Sequence, residues 1–430
     1  MRLSGITFAA LAVLATGCLD NQKMGPLAAP PGGGNFRGYI AVGTSISAGI
    51  QSAGINDSTQ RKAFPYLLAT AMGLSPNANW YYPGFTAPGC PPPFTNPLTQ
   101  ARVGGGADTT CNLVSPLSVP GKQGWFNNLG VPSLRAAHVL NIRDLTFPRT
   151  DTLFLAQFIT GSRSPIDIVY AARPAFVTLE IGGNDVLGAA TEGDTTLLTS
   201  VANFEAQFTA IADAIALTGA KVAVTNIPNV TVIPHFSAGV ILWCLHNGGP
   251  TCPGAAGFPP ATLPYSSPNF VVDSSCIATA LYPSKGTGDS MLVTFPAIAQ
   301  ITGTLAAGGA ATLNCAAGTA TVNKGAGFVP AGAVLTKAAV KAIATRVLTL
   351  DAFIQAQATS RGWAFVDFNG LLTASAALIP HFPHFTTPDT LFGTLVSLDG
   401  IHPSNAGHKA IADAFVAAIN SKYGTTMTPP

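Results

Sequence analysis

Charged side chains are scarce in this sequence: Lys, Arg, Asp and Glu make up 9% of its 430 residues, against roughly 25% in an average soluble domain. The surface must therefore be built largely from Ala, Gly, Thr, Ser, Asn and Pro, which suits a protein outside the cytoplasm. There is no Lys/Arg run and the formal net charge is only +2, so the electrostatic basis for binding nucleic acid is missing. The cysteines lack the paired C-x-x-C spacing of a zinc site. A G-x-S-x-G elbow is also absent, which argues against an α/β-hydrolase.

What is present at the N-terminus is an export signal. Arg2 supplies a small positive region, Ile6 to Leu14 an apolar run too short to span a bilayer, and Ala15-Thr16-Gly17 a processing site. With Cys18 directly following, residues 1–18 resemble a bacterial lipoprotein signal. That resemblance implies acylation of Cys18 as the new first residue, and several acyl chains there would anchor the chain stably to a membrane of the cell envelope. A plain secretory signal with an incidental cysteine is the alternative. Of seven cysteines, six then remain: Cys90, Cys111, Cys244, Cys252, Cys276 and Cys315. An even number in an exported chain suggests three disulfides, with pairing of sequence neighbours favoured although sequence alone does not fix connectivity.

Residues 19–37 contain PLAAPPGGG, a Pro/Gly stretch with nothing to bury, and read as a flexible tether. From residue 38 to about 425, short apolar runs closed by Gly or a polar residue (RGYIAVG, FVTLEIG, KVAVTNI, AFVDF) read as buried parallel strands. Helical stretches lie between them: Gln60 to Met72, Leu198 to Leu217, Thr336 to Ser360 and Asn405 to Ser421. In the last, Ile411, Phe415 and Ile419 mark a core-facing stripe. The alternation implies a doubly wound α/β sheet. Between 234 and 330 the rhythm stops. This Gly/Ala/Pro/Thr-rich segment carries four of the six cysteines and reads as an insertion on the sheet's rim, stapled by disulfides because it lacks a core of its own.

A serine nucleophile needs a base, a carboxylate that orients the base, and donors for an oxyanion. The most literal candidate, Gly288-Asp289-Ser290 in GTGDSML, lies inside the insertion, and YPSKG rather than a buried strand precedes it. By contrast, the first strand runs straight into GTSISAG, placing Ser45 at a strand-to-helix turn above the sheet's C-terminal edge, where open α/β sheets bind ligands. FVTLEIG leads into GGND, where Asn184 can donate its side-chain amide to an oxyanion. NNLGVPS, ending at Ser133, turns from a third strand. In SLDGIHPSNAG, Asp399 stands three residues before His402, close enough to reach Nδ1 and leave Nε2 free as base and then acid. His381 and His384 in HFPHF have metal-like spacing but lack an acidic or Cys partner, and read as a pocket rim. His138, His235, His246 and His408 read as core or surface residues. No metal or other cofactor is expected.

Together GTSIS, NLGVPS, GGND and DGIHPSNAG, in this order, resemble the blocks of the SGNH (GDSL-type) hydrolase family. The resemblance covers Tyr39 to about Ile419 apart from insertions. It implies a flavodoxin-like three-layer fold with about five parallel strands, Ser45 as nucleophile, Asp399 and His402 as the rest of the triad, and Asn184 with the Ser133 amide as oxyanion donors, Gly130 being the lesser candidate. Two positions depart from the family: Thr44 replaces the usual Asp beside the serine, and Ser133 stands where Gly is usual. The activity implied is hydrolysis of carboxylic esters through an acyl-enzyme, with lipid or acyl-glycerol substrates suited to an apolar, membrane-tethered, monomeric chain. The alternatives are a non-catalytic surface-binding lipoprotein of the same fold and a carbohydrate deacetylase of the same family.

Overall fold

A computed structural model describes residues 33–113, 124–143, 150–248, 264–280, 284, 286–323 and 333–430. The expected signal, Cys18, most of the tether and Cys252 lie outside the described residues. Five strands form one all-parallel sheet: β1 (Ile40–Gly43), β2 (Asn128–Gly130), β3 (Phe176–Glu180), β4 (Lys221–Thr225) and β5 (Ala364–Val366). Across the sheet they run β2-β1-β3-β4-β5. Nearly every residue in them is buried, because apolar side chains point to both faces and both faces are covered. Ile40, Val42, Val177, Leu179, Val222 and Val224 pack on one side. Tyr39, Ala41, Phe176, Ala223 and Val366 pack on the other.

Helices cover both faces. α1 (Ser45–Ala48) follows β1 directly, and α2 (Phe64–Ala71) lies on the second face with α6 (Asn405–Tyr423). α3 (Asn184–Glu192) follows β3, while α4 (Val201–Ala216) and α5 (Lys337–Arg361) cover the first face. The stripe expected in α6 is real: Ile411, Phe415 and Ile419 are buried, and the Phe415 ring stacks on Phe64 with centroids 4.8 Å apart.

Three expectations need correction. Gln60 to Met72 is not one helix: a short helical turn ends at Gln60, and α2 begins at Phe64 with Pro65 in its first turn, where a missing N–H costs nothing. The packed chain also starts before residue 38, since Gly33–Phe36 is helical and the buried Phe36 ring meets Phe176 edge-on. Most importantly, the insertion has a core. Helices Gly239–Asn247 and Phe295–Ala306 and two small three-stranded sheets enclose Leu242, Phe270, Met291, Val293, Ile298, Ile301 and Leu313. Its strands are only two to four residues long, and Pro, Gly and Thr dilute the helical period of FPAIAQITGTLA, which is why no apolar rhythm stands out.

Disulfides join Cys90 to Cys111 and Cys276 to Cys315, and Cys244 is disulfide-bonded as well. These bonds fit an oxidising compartment. No helix among the described residues is long and apolar enough to cross a membrane.

Candidate active site

Strand β1 is flanked by β2 and β3, so the chain reverses its direction of travel across the sheet at β1. The loops leaving β1, β2 and β3 therefore converge at one sheet edge. Thr44 caps α1, and Ser45 is the first helical residue, so its backbone N–H has no carbonyl four residues earlier to bond. Across the edge, His402 Nε2 lies 2.9 Å from Ser45 Oγ, and His402 Nδ1 lies 2.8 Å from Asp399 Oδ2. An ionised carboxylate only accepts, so Nδ1 carries the proton and the Nε2 lone pair faces the serine hydroxyl.

Asp399 is held tightly. Its Oδ1 accepts from the Ile401 and His402 amides at 2.8 and 2.9 Å and from Ser397 Oγ at 3.2 Å, and its Oδ2 also accepts from the Ala53 amide at 2.6 Å. Burial alone would raise its pKa; the charge that His402 can carry, with the hydrogen bonds from His402 and Ile401, outweighs burial and holds the carboxyl well below its ordinary value. It stays ionised when His402 takes a proton. Ser52 reinforces the junction, its amide donating to Ser397 Oγ at 2.8 Å and its hydroxyl accepting from the Leu398 amide at 3.1 Å. Ser52 and Ala53 both adopt left-handed backbone, with φ of 53° and 52°. Such local strain persists only where surroundings impose it.

Asn184 opens α3 and reaches the same cleft. One of its amide hydrogens donates to the Leu134 carbonyl at 3.0 Å, leaving the other for a ligand. Beneath it, the buried Asp185 accepts from the Ala136 amide at 3.1 Å and from Thr199 Oγ1 at 2.8 Å, which ties the loop after β3 to the loop after β2. Burial pushes the Asp185 carboxyl up to about 6, against the pull of these bonds. Ser133 adopts φ of 60°, a left-handed conformation that Gly takes without strain. It is half-buried and does not itself line the cleft; the neighbouring Leu134 does the positioning through Asn184. Gly130 drops out as a donor, since its amide donates to Asn128 Oδ1 at 3.0 Å.

The cleft at Ser45 is a small cavity of about 120 Å³. Leu187, Val230, Ile233, Leu371, Leu395 and Ile401 supply aliphatic walls. His381 and His384 do not line it, so the expected rim role fails; Ile379 is the nearest contributor from that loop. No cluster of metal-ligating side chains occurs among the described residues. The hydroxyl of Ser290, the literal tripeptide serine, donates to Asp289 of its own turn at 3.4 Å, with no histidine partner among the described residues.

At the site, Glu180 went unread in the sequence and His235 was read only as a core or surface residue. Glu180, the last residue of β3, is buried under the Ser45 turn and accepts hydrogen bonds from Thr44 and Ser47. His235 is a core histidine, but a specific one: its Nδ1 lies 3.0 Å from the Asp399 carbonyl, and its amide donates to the Gly400 carbonyl at 2.9 Å. Burial holds its pKa down, so it serves as a neutral brace behind the acid turn. The chain matches no known family and no curated protein.

Proposed function

We propose that this chain is a serine ester hydrolase of the SGNH (GDSL-type) kind, with a flavodoxin-like wound sheet, exported and lipid-anchored through Cys18. The observation that carries the reading is the unbroken array Ser45–His402–Asp399 opening on an aliphatic cleft beside Asn184. The strand order supports the fold reading, because it reverses at the strand that bears the serine.

In this reading Ser45 Oγ attacks the acyl carbonyl carbon as its proton passes to His402 Nε2, while Asp399 stabilises the imidazolium. The carbonyl oxygen becomes an oxyanion, received by the Ser45 amide and the free hydrogen of Asn184 Nδ2. Collapse expels the alcohol, protonated by His402, and leaves Ser45 acylated. Water, deprotonated by His402, then attacks the acyl carbon and frees the acid. The aliphatic walls suit acyl chains, including acyl-glycerols. They offer little to a carbohydrate, which needs polar and flat aromatic contacts, and this disfavours the deacetylase alternative.

The test is to mix purified protein with p-nitrophenyl butyrate and with a fluorophosphonate probe. A burst of nitrophenol and a covalent adduct on Ser45, both removed by His402→Ala, are expected. No adduct, or an adduct elsewhere, would overturn the assignment.

A further inference from the structure

We infer that Glu180 is the positioning residue of the nucleophile turn, supplying from the neighbouring strand the carboxylate that the resembled family carries beside its serine. This rests on the reading of Ser45 as nucleophile. The family's Asp is replaced by Thr44, yet a carboxylate still grips this turn. Glu180 Oε2 accepts from the Thr44 amide at 2.9 Å, Ser47 Oγ at 2.9 Å and the Ser47 amide at 3.3 Å, while Thr44 Oγ1 lies 2.9 Å from Oε1 and 3.0 Å from Oε2. Two amides and two hydroxyls, on both sides of Ser45, thus converge on one side chain. Burial pushes the Glu180 carboxyl up, against the pull of these four donors.

The backbone makes room for it. A Cβ on Gly43 would collide with the Ser47 side chain and lie 2.9 Å from Glu180 Oε2. The glycine before the nucleophile thus keeps the space through which Glu180 and Ser47 meet. Glu180 and Gly43 are paired across β3 and β1, so the register itself delivers the carboxylate to the turn. Thr44 is consequently an adaptation rather than a loss. A second carboxylate at residue 44 would face Glu180 at contact distance in a buried site, where two like charges cannot both persist.

The prediction is a carboxylate exchange. Four proteins are compared: wild type, Glu180→Gln, Thr44→Asp, and the pair. Each is checked for its fold by circular dichroism and thermal melting, then for the second-order rate of fluorophosphonate labelling at Ser45 and for kcat and KM with p-nitrophenyl butyrate. Glu180→Gln should cut labelling and kcat about tenfold with KM within about twofold, as expected for a misplaced nucleophile. Thr44→Asp should cost about 100-fold through repulsion. Adding Glu180→Gln to it removes the repulsion and offers an amide N–H to the new carboxylate, so the pair should recover at least about tenfold over Thr44→Asp alone. A wild-type labelling rate in Glu180→Gln, or no recovery in the pair, overturns the inference. If wild type itself neither labels nor hydrolyses, the proposed function fails, and the melting temperatures decide the exchange: recovery in the pair supports it and additive losses overturn it.

Discussion

Two turns in this chain read glycine, polar residue, serine, and they have opposite fates. Gly43-Thr44-Ser45 leaves a buried strand with parallel neighbours on both sides and projects its hydroxyl at a histidine. Gly288-Asp289-Ser290 sits in the insertion, where the Asp289 carboxylate accepts from Thr279 Oγ1 at 2.7 Å and from the Thr279 amide at 3.1 Å. There the acid ties its turn to Thr279, ten residues earlier, and holds no base. The difference teaches that the tripeptide does not set the surroundings of its serine. The strand before it, the first-turn amide of the serine itself, and the loops arriving from other strands do.

The sharpest way to break this contrast is to exchange the serines' fates by mutation. Ser45→Ala should lower kcat for p-nitrophenyl butyrate by at least about 10³-fold, whereas Ser290→Ala should change it by less than about twofold; steady-state kinetics on both variants decides. Next in size is Asn184→Ala, which removes a donor found only beside the first turn and should lower kcat by about 100-fold with little change in KM. The second turn should instead depend on its staple. Replacing both Cys276 and Cys315 by serine opens a 39-residue loop and should cost about 2–4 kcal/mol of stability in urea denaturation, while the folded fraction still labels at Ser45. The smallest effect concerns pH. Burial raises Asp185 to about 6 in the folded chain, above about 3.9 when unfolded, so its contribution is fully present below about pH 4 and is lost as pH rises through 6. Asp399 has the opposite sign, its contribution being present above about pH 4 and lost on acidification. Asp185→Asn should therefore flatten the loss of urea midpoint between about pH 4 and 6, and an unchanged slope would contradict the assignment.

Much of the candidate site was legible because Ser45 and Asn184 leave buried strands beside Gly, where sequence pattern and topology agree. Asp399 and His402 follow no strand of the sheet; their D-x-x-H turn ahead of a helix, and the resemblance of the four blocks to one family, marked them. Glu180 was illegible for the opposite reason. In FVTLEIG it reads as one polar letter in an apolar strand, and the groups it serves lie 133 to 136 residues earlier. His235 is similar: a single histidine beside proline carries no local signal, and its partners lie 164 residues away. The core of the insertion escaped because small residues in very short strands leave no measurable period. At Ser133 the expectation was of a backbone shape that Gly adopts more easily, and its φ is 60°.

The contact between His235 and the acid turn also bears on how this protein could be trimmed or regrafted. Gly400 carries no reactive atom, yet a side chain there would press within 2.9 Å of the His235 backbone, which belongs to the first residues of the insertion. Any deletion intended to strip the insertion from the parallel-sheet core must therefore cut after this seam, near residue 239, and not at residue 234. In a saturation scan Gly400 should score severely, both for clearance and because its φ of 74° is a left-handed conformation that other residues rarely adopt.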